Sequence, residues 1–327
     1  NFGPSLTVAM MGISNPGHDR AVVRMDSTGR ATVLTGQMPM GQGIETVLAQ
    51  VAADELRIEI GEVSVVYGDT LAIPYTGYGS GGSRGAGVAG SAVLAAASQL
   101  REHLRRIAAH RLEVRTVQDA EGGGFTDGTG HTCTLAEVAS AAYSAIDLPP
   151  GLEPGLEASF TYDPKAFAFS YGTVAAVVEI DRETGSITIS RLVFGHDCGP
   201  QLHPGNVEGQ VVGGIAQGIG TALYEHLPYA ADGHPVVKSM WDYFPPLAGN
   251  VPPVELLHLE TPSPFSLNGA KGVGESGTIP IPAVLANAIR DALDNTDTVV
   301  DTVPITAERV LASLDRASKA RDRGEPL

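Results

Sequence analysis

Residues 268–277 read Asn-Gly-Ala-Lys-Gly-Val-Gly-Glu-Ser-Gly. Glu275 sits there in a loop almost free of side-chain bulk, so a substrate can approach its carboxylate, and a carboxylate so placed suits general-base work. The same residue also fits the first turn ahead of a helix, where the helix dipole favours negative charge. A second segment, Gly79-Ser80-Gly81-Gly82-Ser83-Arg84-Gly85, offers unhindered amides, two hydroxyls and a guanidinium. An Arg among glycines before a helix points to a phosphate or pyrophosphate, which it can grip with two parallel hydrogen bonds; the other reading is a flexible loop. A third, Gly36-Gln37-Met38-Pro39-Met40-Gly41-Gln42-Gly43, ends a strand and opens a helix. It reads as a tight turn or as an anion cradle at a helix start, and it matches neither GxGxxG nor the phosphate loop GxxxxGK[ST]. In the fourth, Gly213–Gly220, Gln217 is the lone amide and must cap a neighbouring loop or meet a polar ligand. His196 and His203 flank Asp197 and Cys198, but no fourth ligand stands at metal spacing, so they read as turn residues and Cys198 as a small buried hydrophobe.

These loops need elements to hold them. Ala21–Met25 and Ala31–Thr35 flank Ser27-Thr28-Gly29 and predict a hairpin; Thr7–Met11 is a further short apolar run. A helix with Val47, Val51 and Leu56 near one face follows the third segment, and Val63–Tyr67 is the next strand. The glycine-rich run 76–91 leads into a helix over Ala92–His110. Asp119–His131 and Asp147–Glu157 are rich in Gly and Pro and predict surface connections, the best places for an internal boundary. The second half returns to the same order. Thr173–Ile180 and Ser186–Phe194 flank Asp181–Gly185, then a helix covers Pro204–Leu223. Gly205, Gly209 and Gly213 share one row of that helix, and Gly214 and Gly218 add more. Each costs about 0.5–1 kcal/mol relative to Ala, so a backbone or a ligand must approach closely there. Pro228–Pro253 reads as irregular, and Ile281–Leu293 as a final buried helix with Pro282 in its first turn.

The chain has 327 residues, 43% of them hydrophobic and 18% charged, enough for a large core and against global disorder. Its net charge of −16 leaves no basic face for nucleic acid or an anionic membrane. Two cysteines, Cys133 and Cys198, cannot by themselves build a disulfide framework or an iron–sulfur site. No apolar run reaches the length of a membrane span and no signal peptide opens the chain, so a cytoplasmic location is expected. The first residue is Asn1, which predicts a processed, trimmed or partial chain.

Five strings together resemble the carboxy-terminal half of the molybdenum-binding subunit of the xanthine dehydrogenase/aldehyde oxidase/carbon monoxide dehydrogenase family. They are GQMPMGQGIETVLAQVAADEL (36–56), GDT (68–70), GSGGSRGAGVAGSAVL (79–94), DCGPQLHPGNVEGQVVGGIAQGIGTALYE (197–225) and AKGVGESGTIPIPAVLANAIRDAL (270–293). The resemblance implies an α+β (mixed α/β) fold of the xanthine dehydrogenase type, with molybdopterin-binding subdomains over 1–150 and 151–327. It implies molybdopterin with Mo, in its cytosine dinucleotide form, and no metal ligand from this chain. Gly41, Gln42, Gly43, Gly82, Ser83, Arg84, Gln217, Lys271, Gly272, Val273 and Gly274 fall where the family holds the pterin or its phosphates. Glu275 falls on the family's catalytic glutamate, the base that takes a proton as water-derived oxygen attacks an electron-poor carbon of an N-heterocycle or aldehyde. One departure is His203, where the family usually has Asn. The family's amino-terminal half is not in the sequence, an arrangement similar to the split nicotinate dehydrogenase. The resemblance therefore implies an amino-terminal-half molybdopterin subunit as partner, an iron–sulfur subunit with [2Fe-2S] clusters and an FAD subunit. Alternatives are a cofactor-binding scaffold without its own activity, a carbon monoxide dehydrogenase-like subunit, and an unrelated nucleotide-binding α/β domain.

Overall fold

A computed structural model describes residues 5–9, 17–146, 148–293, 300 and 302–322. The alternating apolar residues of Asp19–Met25 (β2) put Ala21, Val23 and Met25 on the buried face. The strand turns through Gly29, φ 94°, into Ala31–Thr35 (β3), antiparallel with Met25 opposite Ala31. The glycine segment after β3 leads into helix α1, Ile44–Leu56, whose buried face carries Val47, Leu48, Val51 and Leu56. Val63–Val66 (β4) then pairs parallel to β3. The next glycine loop opens a π-turn over Gly85–Ala89 and the long helix α2, Gly90–Arg111.

The second half runs through the same series. Ser170–Ile180 (β9) and Ile187–Asp197 (β10) form an antiparallel hairpin with a bulge between Ile189 and Arg191. A loop leads into helix α4, Pro204–Ile219, and a π-turn over Gly220–Tyr224. Val254–Leu259 (β11) pairs parallel to β10. A second glycine loop opens helix α5, Ile281–Ala292. The two sheets match in order, β4-β3-β2 edged by Glu157–Tyr162 (β8) and β11-β10-β9 edged by Ser5–Ala9 (β1). Their outer strands are exchanged. Strand β1 precedes the first hairpin but pairs with β9, and β8 precedes the second hairpin but pairs with β2. Two apolar cores follow the two sheets, one around Val23, Leu48 and Leu100, the other around Phe194, Ile215 and Leu285.

The predicted strands and helices are present, with Thr7–Met11 appearing as Ser5–Ala9 and its last two residues outside the described ones. Asp119–His131 is more than a surface connection. Gln118–Asp119 (β5), Phe125–Thr126 (β6) and Thr132–Cys133 (β7) form a small sheet that buries Phe125 completely. Asp147, which opens the other predicted connection, lies outside the described residues. Helix α3, Leu135–Ser144, carries a capping box between Thr134 and Glu137, a signal of T-x-x-E type that the sequence reading passed over. Helix α6, Ala307–Asp322, was likewise not foreseen. Among the described residues no helix is long and apolar enough to cross a membrane.

Candidate active site

Both glycine segments that follow a parallel-paired strand leave its carboxyl end, the edge at which open α/β sheets receive ligands. Both loops line one cavity of about 270 Å³. Ile44 opens α1 there, Gly85 and Ala86 open the turn into α2, and His203 and Asn206 stand at the start of α4. Three helix starts bring their positive dipole ends to one space. Gly43 must lack a side chain: its φ is 74°, and a Cβ would lie 2.0 Å from Nδ2 of Asn206. At Gly85 a Cβ would crowd Cδ1 of Ile44 at 2.8 Å. These glycines let the helix starts close on one another.

Of the predicted site residues, Gln42, Gly82, Ser83, Arg84, Lys271, Val273, Gly274 and Glu275 line the cavity. Gly41, Gly43 and Gly272 lie beside lining residues without lining it themselves. Gln217 lies outside the lining, where Oε1 accepts from the Thr278 hydroxyl at 3.2 Å, so its amide caps a neighbouring loop. Gln37, Ser80, Asn206 and Gln210 line the cavity and were not singled out as site residues. The signal for two of them was present, since Asn206 and Gln210 stand one turn apart on α4.

Arg84 and Lys271 are both buried and both paired. Nη1 of Arg84 lies 2.6 Å from Oδ2 of Asp19 and 3.0 Å from the Gly79 carbonyl. Gln37 donates Nε2 to the same Asp19 oxygen at 2.8 Å. Burial pushes the Asp19 carboxyl up to about 6, against the pull of Arg84. Nε of Arg84 and Oδ1 of Asp19 are buried with no partner among the described residues. Nζ of Lys271 lies 2.7 Å from Oδ1 of Asp197 and 4.4 Å from the centre of the Tyr171 ring. Burial opposes the charge on Asp197, but Lys271 and the N–H groups of Gly199 and Thr261 hold its carboxyl well below the usual range. The two cations thus tie the glycine loops to the sheets.

Glu275 is exposed to the cavity, and Oε2 accepts a hydrogen bond from the Ser83 hydroxyl at 2.7 Å. The loop that carries it is pressed on α4, where a Cβ at Gly277 would meet the Val211 carbonyl at 2.2 Å. Cys198 is buried at the cavity wall, and burial pushes its thiol up to about 11, with help from Asp197. His203 accepts the Asn206 N–H at Nδ1 over 3.1 Å, which caps α4 and leaves the proton of its neutral ring on Nε2. The potential ligand atoms of His196, Cys198 and His258 lie within 4.8 Å of one another, His258 being exposed. The lining combines the side-chain amides of Gln37, Gln42, Asn206 and Gln210, four glycines and the Glu275 carboxylate, a donor set that fits a polar organic cofactor.

A profile of the molybdopterin cofactor-binding domain matches residues 2–252. The nicotine 6-hydroxylase large subunit of Paenarthrobacter nicotinovorans is 41% identical over 298 residues, 90% of this chain and 36% of that one. The carbon monoxide dehydrogenase large chain of Hydrogenophaga pseudoflava is 38% identical over 317 residues, 95% of this chain and 39% of that one. Quinoline 2-oxidoreductase from Pseudomonas putida 86 superposes with a TM-score of 0.87 at 39% identity, over 95% of this chain and 41% of its own. The chain therefore spans well under half the length of each.

Proposed function

The chain belongs to the molybdopterin cofactor-binding family of molybdenum hydroxylase subunits, and from that premise we propose that it forms the base-bearing part of an enzyme that hydroxylates an electron-poor carbon. The observation that carries this reading is the convergence of three helix starts and the Glu275 carboxylate on one cavity. When bound, the molybdenum–pterin group supplies the redox chemistry. The chain supplies binding and proton handling. Gly41, Gln42 and Gly43 with Gly82, Ser83 and Arg84 hold one side of the cofactor through backbone amides. Gly272, Val273 and Gly274 hold the other, on a loop that Lys271 anchors to Asp197 and to the Cys198 carbonyl and that Gln217 steadies through Thr278. Helix starts suit the cofactor's phosphates, and the family resemblance is what suggests the cytosine dinucleotide form. Glu275 takes a proton from water-derived oxygen as it adds to the substrate carbon.

Two relatives are named for N-heterocycles, nicotine and quinoline, and this favours an N-heterocyclic substrate ahead of an aldehyde. The remaining parts are read as a subunit carrying the amino-terminal half, an iron–sulfur subunit with [2Fe-2S] clusters and an FAD subunit, assembled in the cytoplasm. Leu71 and Trp241 are 97% and 90% exposed, an apolar exposure that suits a surface covered by another chain. The two sheets, with β1 and β8 exchanged between the halves 1–150 and 151–327, serve as two lobes around the cofactor.

In the assembled complex, Glu275→Gln is expected to abolish turnover while molybdenum and pterin content stay at the wild-type level. Undiminished turnover per molybdenum would refute the base assignment. The similarity to carbon monoxide dehydrogenase supports a second reading, and reduction of the complex by carbon monoxide but not by N-heterocycles would favour it.

A further inference from the structure

We propose that Ser83 is a positioning residue for Glu275: its hydroxyl, offered from a strained backbone, fixes the carboxylate in the orientation that accepts the proton. This rests on the reading of Glu275 as the base. Among the described residues the Glu275 carboxylate has one side-chain donor, the Ser83 hydroxyl at 2.7 Å. The neighbouring polar groups are engaged elsewhere. Ser276 donates to the Val273 carbonyl, Thr278 to Gly214, and Lys271 is bound to Asp197. An exposed glutamate on a glycine-rich loop otherwise spreads over many rotamers, and catalysis needs one.

Ser83 has φ 53°, in the left-handed region that residues other than Gly, Asn and Asp seldom enter. The surrounding structure enforces it. The next residue, Arg84, is buried and clamped to Asp19 and to the carbonyls of Gly79 and His18. Across the cavity, a Cβ at Gly274 would stand 3.1 Å from Oγ of Ser83, so glycine leaves the hydroxyl its room. A strained residue over-determined by its neighbours and aimed at a carboxylate marks a functional contact.

The test uses the purified, cofactor-loaded complex. Ser83→Ala should keep molybdenum and pterin content, lower kcat roughly 10–100-fold and leave KM within about threefold. Hydrogen–deuterium exchange of amides 273–278 should speed up in this variant, a readout independent of turnover. Ser83→Asn should restore most of kcat and of the protection, because Asn tolerates the left-handed conformation and its amide donates; Thr, β-branched, is the poorer rescue there. In single-turnover reduction, adding Ser83→Ala to Glu275→Gln should cost nothing further, since no base is left to position. Wild-type kcat and exchange in Ser83→Ala, loss of cofactor in that variant, or a full multiplicative loss on top of Glu275→Gln would each overturn the proposal while leaving Glu275 as base. Wild-type turnover in Glu275→Gln alone would remove both.

Discussion

Two lysine and arginine side chains that look like anion ligands in the sequence prove to be struts. Lys271 neutralises Asp197 where both are buried, and removing one partner of such a pair costs about 3–5 kcal/mol because the other charge stays behind. Lys271→Met is therefore expected to lower the Tm of the complex by several degrees at neutral pH. The sign of the pH dependence follows from Asp197. Its folded carboxyl is held below the ordinary 3.8, so its stabilisation is present above that pH and is lost as pH falls below it. The gap between wild type and Lys271→Met, followed by thermal melts, should shrink as the pH drops below 3.8; a gap independent of pH would contradict the ion-pair account. Glu275 could be picked out as a carboxylate among glycines, but its role as base came from the family resemblance and not from the residue itself. The partners of Arg84 and Lys271 were not, since Asp19 and Asp197 lie 65 and 74 residues away along the chain.

At the scale of elements, the glycine-rich helix α4 shows what a pattern can and cannot say. Its glycines announced a close approach, and the structure divides them by row. A Cβ at Gly214 would meet the Thr278 nitrogen at 3.0 Å, and one at Gly218 would lie 2.6 Å from Cβ of Ile281. The loop that bears Glu275 needs that row bare. Gly209 and Gly213 face open space, and nothing among the described residues explains them. Gly218→Ala is expected to destabilise by about 1–3 kcal/mol through overpacking. Gly209→Ala should stabilise by about 0.5–1 kcal/mol through helix propensity alone. Equal effects of the two changes on Tm would sink this division. Hairpins and long helices were readable because their apolar periods are strong. The small sheet around Phe125 was not, because two-residue strands carry no period and Gly- and Pro-rich composition reads as loop.

At the scale of the whole molecule, one series occurs twice: hairpin, helix, parallel strand, glycine loop, helix. The exchange of β1 and β8 between the two sheets ties the copies together and sets their glycine loops on one cavity. Composition foretold a large core, and the repeat of hairpin and helix could be read along the sequence, while the second parallel strand, β11, could not. The exchange could not, because the pairing of a lone strand depends on which sheet edge lies free in three dimensions. An account built on convergence is tested most directly by where the cofactor sits. A cryo-electron microscopy or crystal structure of the purified native complex should show a molybdenum–pterin group in contact with the loops at Gln42, Ser83 and Gly274, with the Glu275 carboxylate turned to the metal. A cofactor resolved elsewhere in the complex, with this cavity filled by protein side chains or water, would contradict it.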